Sequence, residues 1–363
     1  MEKIYKYSHI DWLLFLATIP LLLAGLITMR SFGAGSPPAG GDYFFSHQLI
    51  WITLGLIIFF LFSFIDWRFL RKSEFLMALF LLSIAILASL LIFGKVTRGA
   101  ASWFKLHFFS LEPADPVKII LILVLAKYFS RRHIEIAHAR HIIVSSFYVA
   151  IPAILVFFQP DFGSIIILIA LWLGVLIVSG IKLRHFLILS LSLLLVLSLS
   201  WLFLMKDYQK ERVISFIMPV DPLGVDWSQN QAKIAIGAGG IFGQGLFKGS
   251  QTQYGFLPEP QTDFIFAAIA EEMGLIGVSV LLLLFLVLIW RIFNIAVNSQ
   301  SNFPRLFSVG LIIVLISQIF IHIGMNLGIL PIIGISLPFI SYGGSGLIMF
   351  FACLGILESI KSK

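Results

Sequence analysis

The chain has 363 residues, of which 59% are hydrophobic and only 12% charged, and its mean hydropathy is strongly positive. A soluble domain of this size does not carry that balance, so lipid is the expected solvent. The net charge of +7 would suit nucleic acid, but the cations cluster between apolar runs in alternation, which is a topology signal and excludes a nucleic-acid partner.

A hydrocarbon core about 30 Å thick takes about 20 apolar residues per helix. About ten such runs are predicted, at 10–29, 47–66, 74–94, 115–129, 141–158, 163–180, 185–205, 263–290, 304–329 and 338–358. Runs such as Leu194-Leu195-Val196-Leu197 are apolar on every face, which excludes the alternation of a transmembrane barrel. The expected fold is therefore an all-α integral membrane protein, one polytopic unit over 1–363. The first run follows Lys3 and Lys6 like a signal peptide, but it is long enough to span and is read as retained. With the N-terminus inside, Arg68, Arg71, Lys72, Lys127, Arg131, Arg132, Arg140, Lys182, Arg184, Arg291 and Arg305 fall on the inner side, against Arg30, Lys95, Arg98 and Lys105 in short outer loops. Both termini are thus expected in the cytoplasm. The single Cys353 lies in the last apolar run and reads as packing.

The outer segment Gly94 to Pro116 leads into the fourth run through Asp115 and Lys118. Three residues apart on a helix, these two share a face and can pair. Ionisable residues in a span are functional by default, while a snorkelling lysine beside an interfacial aspartate is the plainer reading. Gln159-Pro160-Asp161-Phe162-Gly163 is a turn in which Asp161 is read as the cap of the next helix.

A large outer loop is expected over 206–262. It is glycine-rich, carries Trp227, Ile234, Ile236 and Phe256 among polar residues, and reads as ordered at the membrane interface. Its cations Arg212 and Lys248 are candidates for an anionic headgroup. The loop ends in Leu257-Pro258-Glu259-Pro260-Gln261-Thr262-Asp263-Phe264, followed by an uninterrupted helical pattern to Trp290, about 42 Å long. Asp263 at its start is either a carboxylate stabilised by the helix dipole or a base reachable from outside. Glu271 lies about 12 Å further along and about 80° round, too far to pair with it, so Glu271 and Glu272 are expected to be structural and cavity-facing. The stretch Leu337 to Gly346 is a Pro-to-Gly-rich break that must lie against protein or a cavity.

Together Gly99-Ala100 with Trp103, Glu112-Pro113-Ala114-Asp115 with Lys118, Gln159-Pro160-Asp161 with Gly163, Leu257-Pro258-Glu259 with Thr262-Asp263-Phe264, and Ser341-Tyr342-Gly343-Gly344-Ser345 resemble the SEDS family (shape, elongation, division and sporulation). The likeness runs over nearly the whole chain. Asp207-Tyr208-Gln209, Arg212, Asp221-Pro222-Leu223-Gly224 and Gly249-Ser250-Gln251-Thr252-Gln253 resemble its elongation branch more than its division branch.

The resemblance implies a peptidoglycan glycosyltransferase that polymerises lipid II on the outer face of the inner membrane. It implies a class B penicillin-binding protein as partner, engaged through its transmembrane span, with membrane lipids around both. Asp263 matches the family's essential aspartate, Asp115 and Lys118 match a Glu and Lys of its cavity, and Arg212 matches an arginine of the large loop. The family usually has Glu at Asp115, His at Gln261 and Arg at Ser102; the second departure argues that the neighbour of Asp263 is not the base. No dedicated metal cage is legible, so a divalent cation, magnesium or manganese, would be shared with the substrate diphosphate. Competing readings are a flippase or transporter of a lipid-linked precursor and a membrane scaffold for a cell-wall synthase.

Overall fold

The computed structural model describes residues 10–32, 41–94, 103–105, 110–130, 139–205, 207–218 and 227–361. Among them the chain is helical almost throughout. Helices α1 (Trp12–Ser31), α2 (Gly41–Phe64), α3 (Ser73–Phe93), α4 (Ala114–Ser130), α5 (Ala139–Phe158), α6 (Phe162–Val178) and α7 (Leu183–Phe203) follow the first seven apolar runs. A two-residue hairpin, β1 (Phe104–Lys105) antiparallel to β2 (Ser110–Leu111), precedes α4. After α7 come three shorter helices, α8 (Asp207–Ile217), α9 (Trp227–Gly239) and α10 (Ser250–Gln253), and then α11 (Ile265–Asn298), α12 (Asn302–Leu327) and α13 (Gly344–Lys361). Eight of these helices are long and apolar enough to cross a membrane; α4 and α6, with 17 residues each, are shorter. The protein is an all-α, multi-pass membrane protein.

Two of the predicted runs are interrupted. The pattern from 263 continues to Asn298 but breaks at Gly274, whose φ of +64° and ψ of −166° are not helical. The cause is tertiary. Leu275 and Ile276 donate backbone hydrogen bonds to the carbonyls of Gly240 and Ile241, so the chain after α9 is joined to α11 at the break. A Cβ on Gly274 would stand 2.3 Å from the amide nitrogen of Gly243, and one on Gly243 would stand 2.1 Å from the carbonyl oxygen of Glu272. The part of α11 beyond the break is about 36 Å long, enough for the hydrocarbon core, and the part before it stands about 13 Å further out. The last run also begins late, because Leu337 accepts from the amides of Ile340 and Ser341 in a turn and α13 starts only at Gly344.

The core lies where α12 packs against α4, α6 and α11, and where α13 packs along α2. Phe351 of α13 is fully buried, edge-on to Phe59 of α2 and Phe339 of the preceding turn. At the end of the bundle away from Asp263, the buried Asp11 caps α1 by accepting from the Leu14 amide and binds Arg291 of α11 at 2.6 Å and Lys361 of α13 at 2.8 Å. Burial alone would push the Asp11 carboxyl up; the bonds from Lys361, Arg291 and Leu14 outweigh it and hold it below the ordinary carboxylate range. Helix α7, in contrast, buries no residue.

Candidate active site

Asp115 and Lys118 sit in the first turns of α4, as their spacing requires, and form an ion pair of 2.8 Å with side chains 8% and 4% exposed. A lysine so enclosed does not snorkel, so the plainer reading of this pair fails. Asp161 caps α6 by accepting from the Ser164 amide at 3.0 Å, as expected. Its other carboxylate oxygen is buried without a hydrogen-bond partner.

Asp263 precedes α11 by two residues, and the residue between them, Phe264 at the N-cap, makes no side-chain capping bond. Its place is fixed from two sides. Asn326 of α12, fully buried, donates to the Asp263 carbonyl at 2.9 Å and accepts from the Ala267 amide at 3.1 Å, so one side chain holds the Asp263 peptide and closes the first turn of α11. On the other side the Ser341 hydroxyl donates to the Thr262 carbonyl and the Tyr342 amide to the Gln261 carbonyl, each at 2.8 Å. Glu259 and Phe339, one in each of these joined strips, hold positive φ of 43° and 64°. Such backbone costs about 1–3 kcal/mol per residue and persists only where the surroundings over-determine it.

These strips, the end of the hairpin and the starts of α4 and α6 enclose a cavity of about 70 Å³, room for a few water molecules. It brings together Asp115, Lys118 and Asp263, with Trp103, Glu112, Ser164, Gln318 and Ser345 also on its wall. Burial, and next the carboxylates of Asp115 and Asp161, hold the Glu112 carboxyl well above its usual range, against the pull of Lys118 and the Ser164 hydroxyl. Lys248 is exposed and does not line the cavity. The side chain of Arg212 lies outside the described residues. Among the described residues no three His, Cys, Asp or Glu side chains are grouped to hold a metal ion.

Glu271 and Glu272 are structural but do not face the cavity. Glu271, fully buried, accepts from the Gln251 and Thr252 amides at 2.7 and 3.1 Å and from the Thr252 hydroxyl at 3.0 Å, capping α10. Glu272 accepts from the Phe247 amide at 3.2 Å. Gln318 and Asn326 are not among the expected site residues, although Gln318, His322 and Asn326 recur every four residues in an apolar run and so mark one polar helix face. Glu112 stands in the Glu112-Pro113-Ala114-Asp115 motif, where the sequence marks no role for it.

The profile of the FtsW, RodA and SpoVE cell cycle proteins matches residues 11–363. The chain belongs to this family. Within the FtsW/RodA/SpoVE family it is 38% identical over 288 residues to the peptidoglycan glycosyltransferase MrdB of Escherichia coli strain K12, covering 78% of this chain and 77% of that one. A structure on the coordination of polymerization and crosslinking by a peptidoglycan synthase complex is similar with a TM-score of 0.81 and 30% identity, over 97% of both chains. The rod shape determining protein RodA of Thermus thermophilus is similar with a TM-score of 0.73 and 27% identity, over 98% of this chain and 97% of that one.

Proposed function

We propose that this protein is a peptidoglycan glycosyltransferase that polymerises lipid II during cell elongation and shape maintenance, with Asp263 as its general base. The observation that carries the reading is that Asp263 shares one cavity with the buried Asp115–Lys118 pair, as the resemblance of their motifs to the family implies. Asp263 takes the proton of a sugar hydroxyl on one lipid II. The freed oxygen bonds to the anomeric carbon of a second lipid-linked sugar as the carbon–oxygen bond to undecaprenyl diphosphate breaks, with inversion. An ammonium has three donors, so Lys118 keeps two beyond its bond to Asp115 for an oxygen of the leaving diphosphate. Arg212 and Lys248 are the loop cations assigned to the same headgroup. A divalent cation in this reaction would come with the diphosphate, with Asp115 and Asp263 among the cavity carboxylates that could share it.

Orientation follows from charge. Arg68, Arg71, Lys72, Arg140, Lys182, Arg184, Arg291 and Arg305 lie at the ends of helices away from Asp263, which supports an inner-membrane placement with that end, and both termini, in the cytoplasm. Asp263 and the 206–262 segment then face outward. The likeness to a synthase complex that couples polymerization and crosslinking supports a class B penicillin-binding protein as partner. A transporter would bind its cargo near the bilayer midplane, whereas this cavity lies among helix starts.

The test is polymer formation from lipid II by the purified chain with its transpeptidase partner, with and without Asp263→Ala. A general base contributes about 10²–10⁴-fold, so polymer is expected to fall at least a hundredfold in a variant that still folds and binds the partner. Undiminished polymer removes Asp263 from the chemistry.

A further inference from the structure

At the end of the bundle away from Asp263, helices α3, α4 and α5 enclose a second cavity of about 160 Å³. Its apolar wall is Leu76, Met77 and Phe80 of α3, Val124 of α4 and Tyr148 of α5. Leu76, Phe80 and Val124 are buried, whereas Met77 is 43% exposed, so the crevice opens sideways onto the surface that lipid covers. The Phe80 and Tyr148 rings meet edge-on at 5.6 Å and close it at depth. From Ser73 to Phe80 the slot runs about 10 Å along α3.

Its polar end is formed by Ser73, Lys127 and Tyr128, and it is cationic. The Lys127 ammonium donates to the Arg71 carbonyl, which places it at the start of α3. Arg71 and Lys72 precede Ser73 and are exposed, and Arg140 precedes His141, whose ring nitrogen is 3.0 Å from the Tyr128 hydroxyl. The acid beside them is Glu74, exposed in the first turn of α3; Asp66 lies further back along the chain, where it accepts from the Arg68 amide. Helix α3 also opens without a cap. Lys72 stands at the N-cap with no side-chain capping bond, and the amides of Ser73, Glu74 and Phe75 find no acceptor among the described residues. Unfilled donors at a helix start carry partial positive charge and suit an anion.

An apolar slot that opens to lipid and ends in cations fits an acyl chain below a phosphate. Basic pockets between helices select lipids of net negative charge. A headgroup with its own ammonium would bring that cation against Lys72, Lys127 and Arg140, so the zwitterionic lipids fit less well. We propose that this crevice binds an anionic phospholipid, its phosphate over the start of α3 beside Lys127 and one acyl chain along Leu76, Met77 and Phe80. Lys127 lies about 18 Å along α4 from Asp115, so the site is separate from the cavity that holds Asp263 and does not rest on the glycosyltransferase reading.

The experiment uses the full chain, purified and stripped of lipid by detergent exchange. It is titrated with phosphatidylglycerol and, separately, with phosphatidylethanolamine of the same acyl chains, and bound lipid is counted by native mass spectrometry. Wild type is expected to hold one phosphatidylglycerol about tenfold more tightly than phosphatidylethanolamine. Ser73→Asp puts a carboxylate at a helix start, where it favours the fold and repels a phosphate, and should abolish most of that preference. Lys127→Gln should cut the preference about fivefold. Equal binding of the two lipids by wild type would overturn the proposal, and so would a preference that neither variant changes. Inorganic phosphate that displaces phosphatidylglycerol at equal concentration would overturn it too, because the acyl chain would then contribute nothing. If one variant fails to fold, the other decides together with the phosphate competition.

Discussion

Helices α7 and α12 are both long and strongly apolar, yet α7 buries nothing and α12 is buried along most of its length. Their polar residues explain the difference. In α7 the hydroxyls of Ser192 and Ser198 fold back to the carbonyls of Leu189 and Leu194 in their own helix. In α12 Asn326 reaches Asp263 and Ala267, and the His322 ring nitrogen is 2.6 Å from the Ile335 carbonyl oxygen. Lipid tails are as apolar as leucine, so hydrophobicity inserts a helix without choosing its neighbours. Packing and polar contacts choose them, and in this protein the contacts that fix α12 also fix Asp263.

The contrast can be broken most severely in the packed half. Phe351→Ala is expected to cost about 3 kcal/mol, the low end for a buried phenylalanine because the reference solvent is lipid, and thermal unfolding in detergent should show it. Next is Asp11→Asn, expected at about 2 kcal/mol because one buried carboxylate serves two partly exposed cations. The folded-state pKa of Asp11 lies below its ordinary value of 3.8, so its stabilisation is present above that value and fades as pH falls through the folded one. Melting curves taken against pH should show wild type converging on the variant only in acid. At the other extreme, Leu194→Ala in α7 is expected to move stability by no more than about 0.5 kcal/mol, since Leu194 is 62% exposed; a loss comparable to Phe351→Ala would show that α7 has a packed partner.

The helical runs were legible because lipid demands length and apolarity that few other folds supply, and all the predicted runs correspond to helices. Asp115 and Lys118 were legible as a pair because helical spacing alone brings them together. Their meeting with Asp263 was not a local fact. It depends on Asn326 and Ser341, which lie 63 and 79 residues away from the backbone groups they hold. The break at Gly274 was hidden for the same reason, since Glu271 to Gly277 reads as helix and the chain from Gly240 to Gly243 meets it there. Glu271 resembled a cavity acid because its partners, the Gln251 and Thr252 amides, become donors to it only once α10 has formed.

The joint between Gly243 and Gly274 has a consequence for how this protein can change over generations. Most tight contacts can be rescued, because a larger side chain on one face is offset by a smaller one opposite. Here each glycine faces the other segment's backbone, at 2.3 and 2.1 Å from where a Cβ would sit, and both hold positive φ. Backbone has nothing to trim, so no second substitution compensates the first. Drift through the 206–262 segment is therefore expected to proceed around these two positions, by changes in exposed residues such as Phe242 and Tyr254 or in loop length, while the pair itself stays fixed.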